Sequence, residues 1–162
     1  MSDFRDRLQQ AAQRGRAASA EKALEQAAEA LSEEESKRLH SQLRLQLTDH
    51  IDQCLHQLAD SFPGFRYETV VEDSGWGGSV TRDDLSVTRG RRENHFSRFS
   101  MTVSPHSKYG VLELIAKGTI RNKEVFSRNH YRLMAEASVD EFRDLVERWA
   151  IDYAEEYAAT GL

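Results

Sequence analysis

The chain has 162 residues, of which 39% are hydrophobic and 30% are charged, and its formal net charge is −5 at pH 7. This length suits one domain with its own buried core, and the single cysteine, Cys54, excludes an internal disulfide framework and a cysteine-rich zinc site. No apolar run approaches the ~18 residues that a membrane span needs, and the N-terminal residues lack the apolar segment of a signal peptide, so we expect a cytoplasmic protein without a membrane segment.

Residues 1–31 are predicted to form a helical arm that buries little surface. The stretch "AASAEKALEQAAEAL" is rich in residues that favour helices, but Leu24 and Leu31 are its large apolar side chains. Gly15 is expected to separate it from an earlier helical piece. Because so polar a helix gains little from packing within one chain, we expect a second subunit to hold the arm, and hence a homodimer.

The rest of the chain, 32–162, is predicted to be a single α+β domain that opens with a second helix. Ser32 and Glu35 have the S-x-x-E spacing of a capping box, which satisfies free N–H groups at a helix start. The helix is expected to end just before the Pro63-Gly64 pair. Apolar residues at steps of three and four indicate one buried face of this helix: Leu39, Leu43, Leu47, Ile51, Cys54, Leu55 and Leu58.

After this helix the hydrophobic period changes to two, which predicts half-buried strands. Alternating patterns occur in the segments "FRYETVVED", "DLSVTRG", "NHFSRFSMTVS", "YGVLELIAKGTI" and "KEVFSRNHYRLM". Short turns are expected at Arg91–Asn94, Pro105–Tyr109 and Arg121–Lys123. Sequential strands with tight turns form an antiparallel meander, so we expect a sheet of four to five such strands.

The stretch "EDSGWGGSVT" is the nearest approach to a phosphate-binding motif. A dinucleotide fingerprint needs G-x-G-x-x-G at the start of a helix, but Val80 breaks the glycine pattern and a strand pattern follows. We therefore interpret Gly75–Gly78 as a flexible loop between two strands, without a cofactor. Trp76 in this loop is a candidate contact for a protein partner, because exposed aromatic side chains anchor many interfaces. Alternatively, Trp76 folds back onto the sheet.

A final helix is predicted after Ser138, which with Glu141 repeats the S-x-x-E spacing. Its apolar face consists of Phe142, Leu145, Val146, Trp149, Tyr153 and Tyr157. The predicted fold is therefore α+β: N-terminal helices, a four- to five-stranded antiparallel meander sheet, and a C-terminal helix packed on one sheet face. Trp149 is expected near the centre of the core, and the sheet residues expected to face the helix are Phe99, Met101, Leu112 and Leu114.

Charge is distributed unevenly along the chain. Between Arg82 and Arg132, eleven lysine and arginine residues stand against five acidic residues, whereas from residue 133 onwards eight acidic residues stand against two arginines. The predicted sheet is therefore basic and the final helix acidic. The strand alternation predicts a mixture of basic and aromatic side chains on the sheet face away from the core: Phe96, Arg98, Lys117, Phe126, Arg128, His130 and Arg132.

This basic and aromatic face is the candidate binding surface. Such a face is typical of single-stranded nucleic-acid binders, which stack bases and neutralise phosphates, but it also suits an acidic protein segment, including an acidic helix of a second copy. A solvated face with cross-strand ion pairs is the simplest interpretation and is preferred to both of these. Because the RNA-binding sheet signature is absent from the sequence, a protein partner is preferred to nucleic acid.

The sequence contains no recognisable catalytic or metal-binding pattern. The six histidines form neither H-E-x-x-H nor a Cys/His zinc pattern, G-x-S-x-G is absent, and Cys54 stands in the apolar face of a helix as a buried, inert thiol. We therefore expect a non-enzymatic protein-binding module, of adaptor or chaperone type, without cofactor or metal. Two alternatives are a small-molecule binder with a cavity between the curved sheet and the final helix, and a nucleic-acid or polyanion binder.

Overall fold

The computed structural model of the chain describes residues 2–160, apart from the side chains of residues 2, 25–32, 86 and 88. The elements follow the chain as α1 (Ser2–Ser61), β1 (Arg66–Glu72), β2 (Gly75–Thr88), β3 (Arg91–Val103), β4 (Val111–Ile120), β5 (Lys123–Leu133) and α2 (Val139–Ala159). The chain divides into two units, Met1–Arg38 and Leu39–Leu162. Over the described residues, neither helix has the length and hydropathy of a membrane span.

Both N-terminal segments predicted to be helical lie in α1. Neither Gly15 nor Ser32 interrupts this helix, contrary to the predicted boundaries. A glycine inside a helix costs only about 1 kcal/mol relative to alanine, and strong helix formers on both sides offset that cost. In the unit Met1–Arg38, the large apolar side chains of Phe4 and Leu8 are exposed, as is that of Leu24.

In the unit Leu39–Leu162, α1 presents the predicted leucine face to the core. Leu47, Ile51 and Leu55 are fully buried, and because they recur at steps of four they lie on one side of the helix. The helix ends as predicted before the Pro63-Gly64 pair, where the backbone turns through a φ of +102° at the glycine. The predicted amphipathic helix is therefore confirmed from Leu43 to Leu58, whereas Leu39, the first residue of the predicted face, is exposed.

The five strands form one antiparallel sheet in the order β1-β2-β3-β4-β5, so each strand pairs with its neighbours in the chain. The predicted α+β fold, with a meander sheet and a C-terminal helix on one sheet face, is confirmed. Two connections are two-residue turns with positive φ at both positions, at Arg89-Gly90 and at Arg121-Asn122. This backbone conformation matches the right-handed twist of the joined strands, which explains why the hairpins are tight.

Two predictions about β2 and β3 are wrong. Gly75–Gly78 belong to β2 and not to a loop, and the turn expected at Arg91–Asn94 lies within β3. The glycines permit a close approach of neighbouring strands, since a Cβ atom on Gly77 would overlap the carbonyl oxygen of Met101. A glycine cluster therefore marks tight sheet packing here, which a short sequence window does not distinguish from a loop.

The core lies between one face of the sheet and the two helices, α2 and the part of α1 after Leu39. Trp149 of α2 is buried, as predicted. Tyr153 stacks on Phe99 with ring centroids 4.7 Å apart, and its hydroxyl donates to the carbonyl oxygen of Thr119 at 2.8 Å. The sheet residues predicted to face α2 are fully buried: Phe99, Met101, Leu112 and Leu114.

The start of α2 differs from the prediction in one respect. Ser138 is the N-cap residue, with extended backbone, but its side chain makes no capping hydrogen bond. The acidic residues Asp140 and Glu141 in the first turn still favour a helix start at this point, because negative charge is stabilising near a helix N-terminus. The S-x-x-E spacing thus located the helix, although the hydrogen bond that it implies is not formed.

Candidate functional site

The register of β5 on β4 decides where the predicted basic face lies. Directly paired residues of neighbouring strands share one side of a sheet. The β5 residues of the predicted surface are paired with core-facing positions of β4: Phe126 with Gly118, Arg128 with Ala116, His130 with Leu114, and Arg132 with Leu112. These four residues therefore lie on the helix-covered side, and the prediction that one open face carries all seven residues is wrong.

The basic side chains of β5 pair with acidic side chains of α2. Arg128 Nη1 lies 2.6 Å from Asp152 Oδ2, while Glu141 Oε1 lies 3.0 Å from His130 Nε2 and 2.9 Å from Arg132 Nη2. The hydrogen bond from Arg132, with a smaller contribution from His130, lowers the pKa of Glu141 below its ordinary value. The basic strand and the acidic helix thus neutralise each other within one chain.

The alternation of apolar residues along β5 predicts the wrong side of this strand as the one that faces the core. Val125, Tyr131 and Leu133 form the more apolar side of the strand, yet all three are exposed. On the inner side of this edge strand, Phe126 packs in the core, whereas the positions after it meet the rim of α2 through ion pairs. The register on β4 and the charge of the covering helix, rather than the pattern of the strand itself, therefore show which side of β5 faces inward.

Phe96, Arg98 and Lys117 do lie on the open face of the sheet. Arg98 is paired with Thr119 and Lys117 with Ser100, on the side away from the core. Most of their neighbours on this face carry hydroxyl groups: Ser79, Thr81, Ser100, Thr102, Thr119 and Ser127. Since three of the seven predicted residues share this face, its basic character is weaker than the sequence indicates.

Trp76 lies in β2, and this position contradicts the predicted loop tip. It is paired with Val103 on the core side and is half-buried. The guanidinium carbon of Arg44, on α1, lies 4.1 Å from the centroid of its ring, a cation–π contact that ties α1 to the sheet. Trp76 therefore belongs to the sheet itself and neither projects from a loop nor folds back from one.

β2 and β3 extend beyond the other strands as a two-stranded hairpin. β1 pairs with β2 only as far as Thr81, and β4 pairs with β3 only from Arg98. β2 and β3 continue to pair with each other up to Thr88 and Arg91. We name residues 85–94, the outer part of this hairpin, the hairpin arm.

The hairpin arm exposes two aliphatic side chains beside a group of arginines. Leu85 and Val87 are 72% and 70% exposed, and because they stand two residues apart in one strand they point to the same side. A two-stranded ribbon gains little stability from its own side chains in water, so these aliphatic groups are available to a partner. The arm's charged residues are one glutamate, Glu93, and three arginines, Arg89, Arg91 and Arg92.

The sequence contains a signal for this hairpin that the pattern analysis missed. Two residues, Arg89-Gly90, separate the runs "DLSVT" and "RRENHF", and this spacing is typical of a two-residue hairpin turn. With the turn predicted at Arg91–Asn94, both strands are predicted too short and the hairpin arm is not recognised. Arginine at a position with positive φ is uncommon, so the pair is a weaker signal than Asn-Gly.

One group of described residues brings three metal-binding types of donor together. The ring nitrogen of His50, the thiol of Cys54 and the carboxylate of Glu147 all lie within 4.8 Å of one another. Cys54 is half-buried rather than fully buried, and burial, with a smaller contribution from the Glu147 carboxylate, raises the pKa of its thiol. A nucleophilic cysteine needs a lowered pKa, so this cluster is not arranged for nucleophilic catalysis.

A groove of about 350 Å³ lies beside this donor cluster, between α1 and α2. It differs in place from the suggested cavity between the sheet and the final helix, where Trp149 and Tyr153 are packed in the core. The groove walls include Cys54, Leu58, Glu147 and Ile151.

Among the residues that the structure describes, the hairpin arm and the donor cluster are two features whose chemistry the packing of the fold does not explain. The arm combines exposed aliphatic groups with positive charge, and the cluster combines three metal-binding donors. No protein-family model, curated protein or solved structure was found to match this chain.

Proposed function

We propose that the chain is a non-enzymatic protein-binding module that docks an acidic, aliphatic segment of a partner protein on its hairpin arm. The observation that supports this most directly is the exposure of Leu85 and Val87, at 72% and 70%, on a two-stranded ribbon. Fully burying one such side chain contributes roughly 1.5–3 kcal/mol. The pair therefore serves as the apolar anchor of the interface.

The arginines of the arm select the charge of the partner. The chain as a whole carries a net charge of −5, but three arginines and one glutamate make the arm basic. Opposite charges across an interface accelerate association, and like charges exclude wrong partners. An acidic segment is therefore favoured over a neutral or basic one.

A protein segment is favoured over nucleic acid by the composition of the arm. Single-stranded nucleic-acid binders combine positive charge with aromatic side chains on which bases stack. Residues 85–94 contain no aromatic residue, and Leu85 and Val87 instead offer aliphatic surface. Such surface suits aliphatic side chains of a peptide rather than bases.

We also propose that the chain forms a homodimer through residues 1–31. Phe4, Leu8 and Leu24 are exposed, so they are available to pair with a second copy, and helices of such polar composition gain most of their stability from packing. A cytoplasmic setting fits the free thiol of Cys54, because reducing compartments preserve unpaired cysteines. The arm and the dimer contact use different residues, so they can be tested separately.

Peptide selection on the immobilised full-length chain tests the function. We expect peptides selected from a random display library to combine Asp or Glu with aliphatic residues, and to bind more weakly as salt is raised. The double variant Leu85→Ser/Val87→Ser should bind them at least about tenfold more weakly, a change of about 1.4 kcal/mol. Val71→Ser is the matched control, because Val71 is 70% exposed but lies in β1.

Three results would contradict the proposal. The first is a selection without acidic, aliphatic peptides, and the second is an equal loss of binding in Val71→Ser. The third is strong binding of single-stranded DNA or RNA at low salt that replacement of the three arm arginines abolishes, without selected peptides. That last outcome would identify a polyanion-binding arm.

A further inference from the structure

We propose that His50, Cys54 and Glu147 form a binding site for Zn²⁺ between α1 and α2, independent of the hairpin arm. His50 and Cys54 are four residues apart on α1, so they are neighbours on one helix face. Glu147 comes from α2 and faces them across the helix pair. Three donor atoms from two helices therefore converge on one point.

Two of the three distances between the donor atoms match those of a tetrahedral zinc site. With Zn–S of about 2.3 Å, and Zn–N and Zn–O of about 2.1 Å, tetrahedral angles place sulfur about 3.6 Å from nitrogen and nitrogen about 3.4 Å from oxygen. Cys54 Sγ lies 3.7 Å from His50 Nε2, and His50 Nε2 lies 3.3 Å from Glu147 Oε1. The third pair, Cys54 Sγ and the Glu147 carboxylate, lies within 4.8 Å, and the exposed Glu147 side chain has room to rotate toward the sulfur.

In this arrangement a single ring nitrogen faces two hydrogen-bonding neighbours. Both Cys54 and Glu147 face the same nitrogen, Nε2 of His50, which carries either one hydrogen or one lone pair. With the hydrogen, Nε2 donates to the Glu147 carboxylate but offers the thiol no lone pair. Without the hydrogen, Nε2 accepts a hydrogen bond from the thiol, but it then has no hydrogen to donate to the carboxylate. A metal ion accepts electron pairs from all three groups together.

The donor set favours Zn²⁺ over the alkaline-earth ions. Thiolate and imidazole suit zinc, whereas Mg²⁺ and Ca²⁺ prefer oxygen ligands throughout. When Cys54 binds as a thiolate and Glu147 as a carboxylate, their two negative charges balance the two positive charges of the ion. His50 completes the set as a neutral ligand.

Three protein ligands leave the fourth tetrahedral position to water or to a small ligand, as in zinc sites that act on substrates. Glu147 has a side chain that is 54% exposed, so the ion can enter from solvent. The groove of about 350 Å³ borders Cys54 and Glu147 and continues along Leu58 and Ile151. A small ligand on the ion would therefore contact aliphatic side chains.

Metal titration of the full-length chain, without a polyhistidine tag, tests the site. We expect one Co²⁺ per chain to bind with a thiolate-to-cobalt charge-transfer band, which Zn²⁺ removes by displacement and Mg²⁺ leaves unchanged. Because Cys54 is the single thiol in the chain, this band assigns the sulfur ligand. Bound Zn²⁺ should also slow the reaction of Cys54 with a thiol reagent.

Single substitutions then assign each ligand. His50→Gln, Cys54→Ala and Glu147→Gln should each weaken Zn²⁺ binding by about 100-fold or more, because losing even a supporting residue outside the ligand set costs about 10- to 100-fold. His56→Gln is the matched control on α1, since His56 pairs with Asp52 at 3.3 Å. On α2 the matched control is Glu155→Gln. Both controls should bind Zn²⁺ as the wild type does.

Circular dichroism and urea unfolding of each variant show whether it is folded before its affinity is compared. Absence of the charge-transfer band in the folded wild type overturns the proposal. Zn²⁺ affinity that survives in folded Cys54→Ala overturns it as well. A loss in His56→Gln as large as that in His50→Gln would place the ion elsewhere on α1 and would also contradict the assignment.

Discussion

Asn122, in the turn between β4 and β5, is joined to Phe96 of β3 by two hydrogen bonds. Phe96 N–H donates to Asn122 Oδ1 at 2.8 Å, and Asn122 N–H donates to the Phe96 carbonyl oxygen at 2.7 Å. The Asn122 side-chain nitrogen also donates to the Asn94 carbonyl oxygen at 2.9 Å. The turn therefore continues the pairing of β3 beyond Arg98, where β4 stops, and braces the base of the hairpin arm.

Asn122→Gly should loosen the hairpin arm without straining the turn. Glycine accepts the φ of +69° found at this position but removes two side-chain hydrogen bonds, each worth about 0.5–1.5 kcal/mol. We expect a stability loss of roughly 1–3 kcal/mol and faster amide hydrogen exchange at Phe96. Asn122→Asp keeps the acceptor oxygen and should preserve the protection of that amide. Unchanged exchange at Phe96 in Asn122→Gly would contradict the bracing role.

Gly77→Ala should destabilise the fold by about 1–3 kcal/mol or more, the usual cost of overpacking. The added Cβ would overlap the backbone carbonyl oxygen of Met101, which cannot move without disturbing the β2–β3 ladder. Gly15→Ala is the control, because its Cβ meets no atom within 4 Å and alanine favours helices. Urea unfolding followed by circular dichroism compares the midpoints. A silent Gly77→Ala would support the loop interpretation of Gly75–Gly78 instead.

Tyr153→Phe should cost about 1 kcal/mol, the typical net contribution of one hydrogen bond. The change removes the donor to the Thr119 carbonyl oxygen and leaves the stacking on Phe99 in place. Burial raises the pKa of Tyr153, so the hydroxyl stays protonated and able to donate at neutral pH. Tyr131→Phe is the control, since Tyr131 is exposed on β5. Equal unfolding midpoints for the two variants would show that the buried hydrogen bond contributes nothing.

Because of His40, the fold should become less stable as the pH falls below 6.5, the ordinary pKa of a histidine side chain. The ring is buried, and its Nε2 lies 3.0 Å from the Ser104 carbonyl oxygen, which can only accept, so Nε2 carries the hydrogen in the neutral form. Burial lowers the pKa of His40, the bond to Ser104 opposes this, and the charges of His106 and Arg44 add to the lowering. The unfolded chain then binds more protons than the folded one, and the free energy of unfolding decreases with falling pH.

Urea unfolding of the wild type and of His40→Gln between about pH 7 and pH 5 measures this contribution, because the unfolded histidine titrates near 6.5. The wild type should lose more stability than the variant across this range, and above it the difference between them should stay constant. The comparison cancels the contributions of the four histidines that do not interact with His40: His50, His56, His95 and His130. Parallel curves for the two proteins would exclude His40 as the cause.

Self-association should depend on the first unit and not on the hairpin arm. In multi-angle light scattering at micromolar concentration, we expect the wild type to be a dimer and Phe4→Ser/Leu8→Ser/Leu24→Ser to be a monomer, because these three side chains are exposed in one chain. Leu85→Ser/Val87→Ser should remain a dimer. A monomeric wild type would contradict the homodimer proposal. A monomeric Leu85→Ser/Val87→Ser variant would indicate that the partner bound by the hairpin arm is a second copy of this chain.

The helices and strands could be predicted from the sequence because their core positions repeat with the period of each element. Leu47, Ile51 and Leu55 recur at helical spacing, and Leu112 and Leu114 alternate as a strand requires. The meander followed from the short connections between strands. These features depend on residues close together in the chain, so a local pattern is sufficient to find them.

The hairpin arm has a local signal in Arg89-Gly90, but the donor cluster and the inward side of β5 depend on contacts that no local pattern contains. The inward side of β5 follows from its register on β4, and its basic residues there pair with Asp152 and Glu141 of another element. The pair His50 and Cys54, four residues apart, is visible in the sequence, but Glu147 joins them only when α2 packs against α1. The cysteine therefore looks like one more apolar residue of the leucine face until the third donor is known.

The order of the elements also has a consequence for biosynthesis. α1 leaves the ribosome before any strand, so the face that carries Leu47, Ile51 and Leu55 emerges without the sheet or α2 to cover it. At about 5–20 residues per second, each β-hairpin has time to form as it emerges, since it pairs with its chain neighbour. The leucine face of the first helix, in contrast, stays uncovered until the rest of the domain has been synthesised. A chaperone that binds nascent chains would therefore bind at this face.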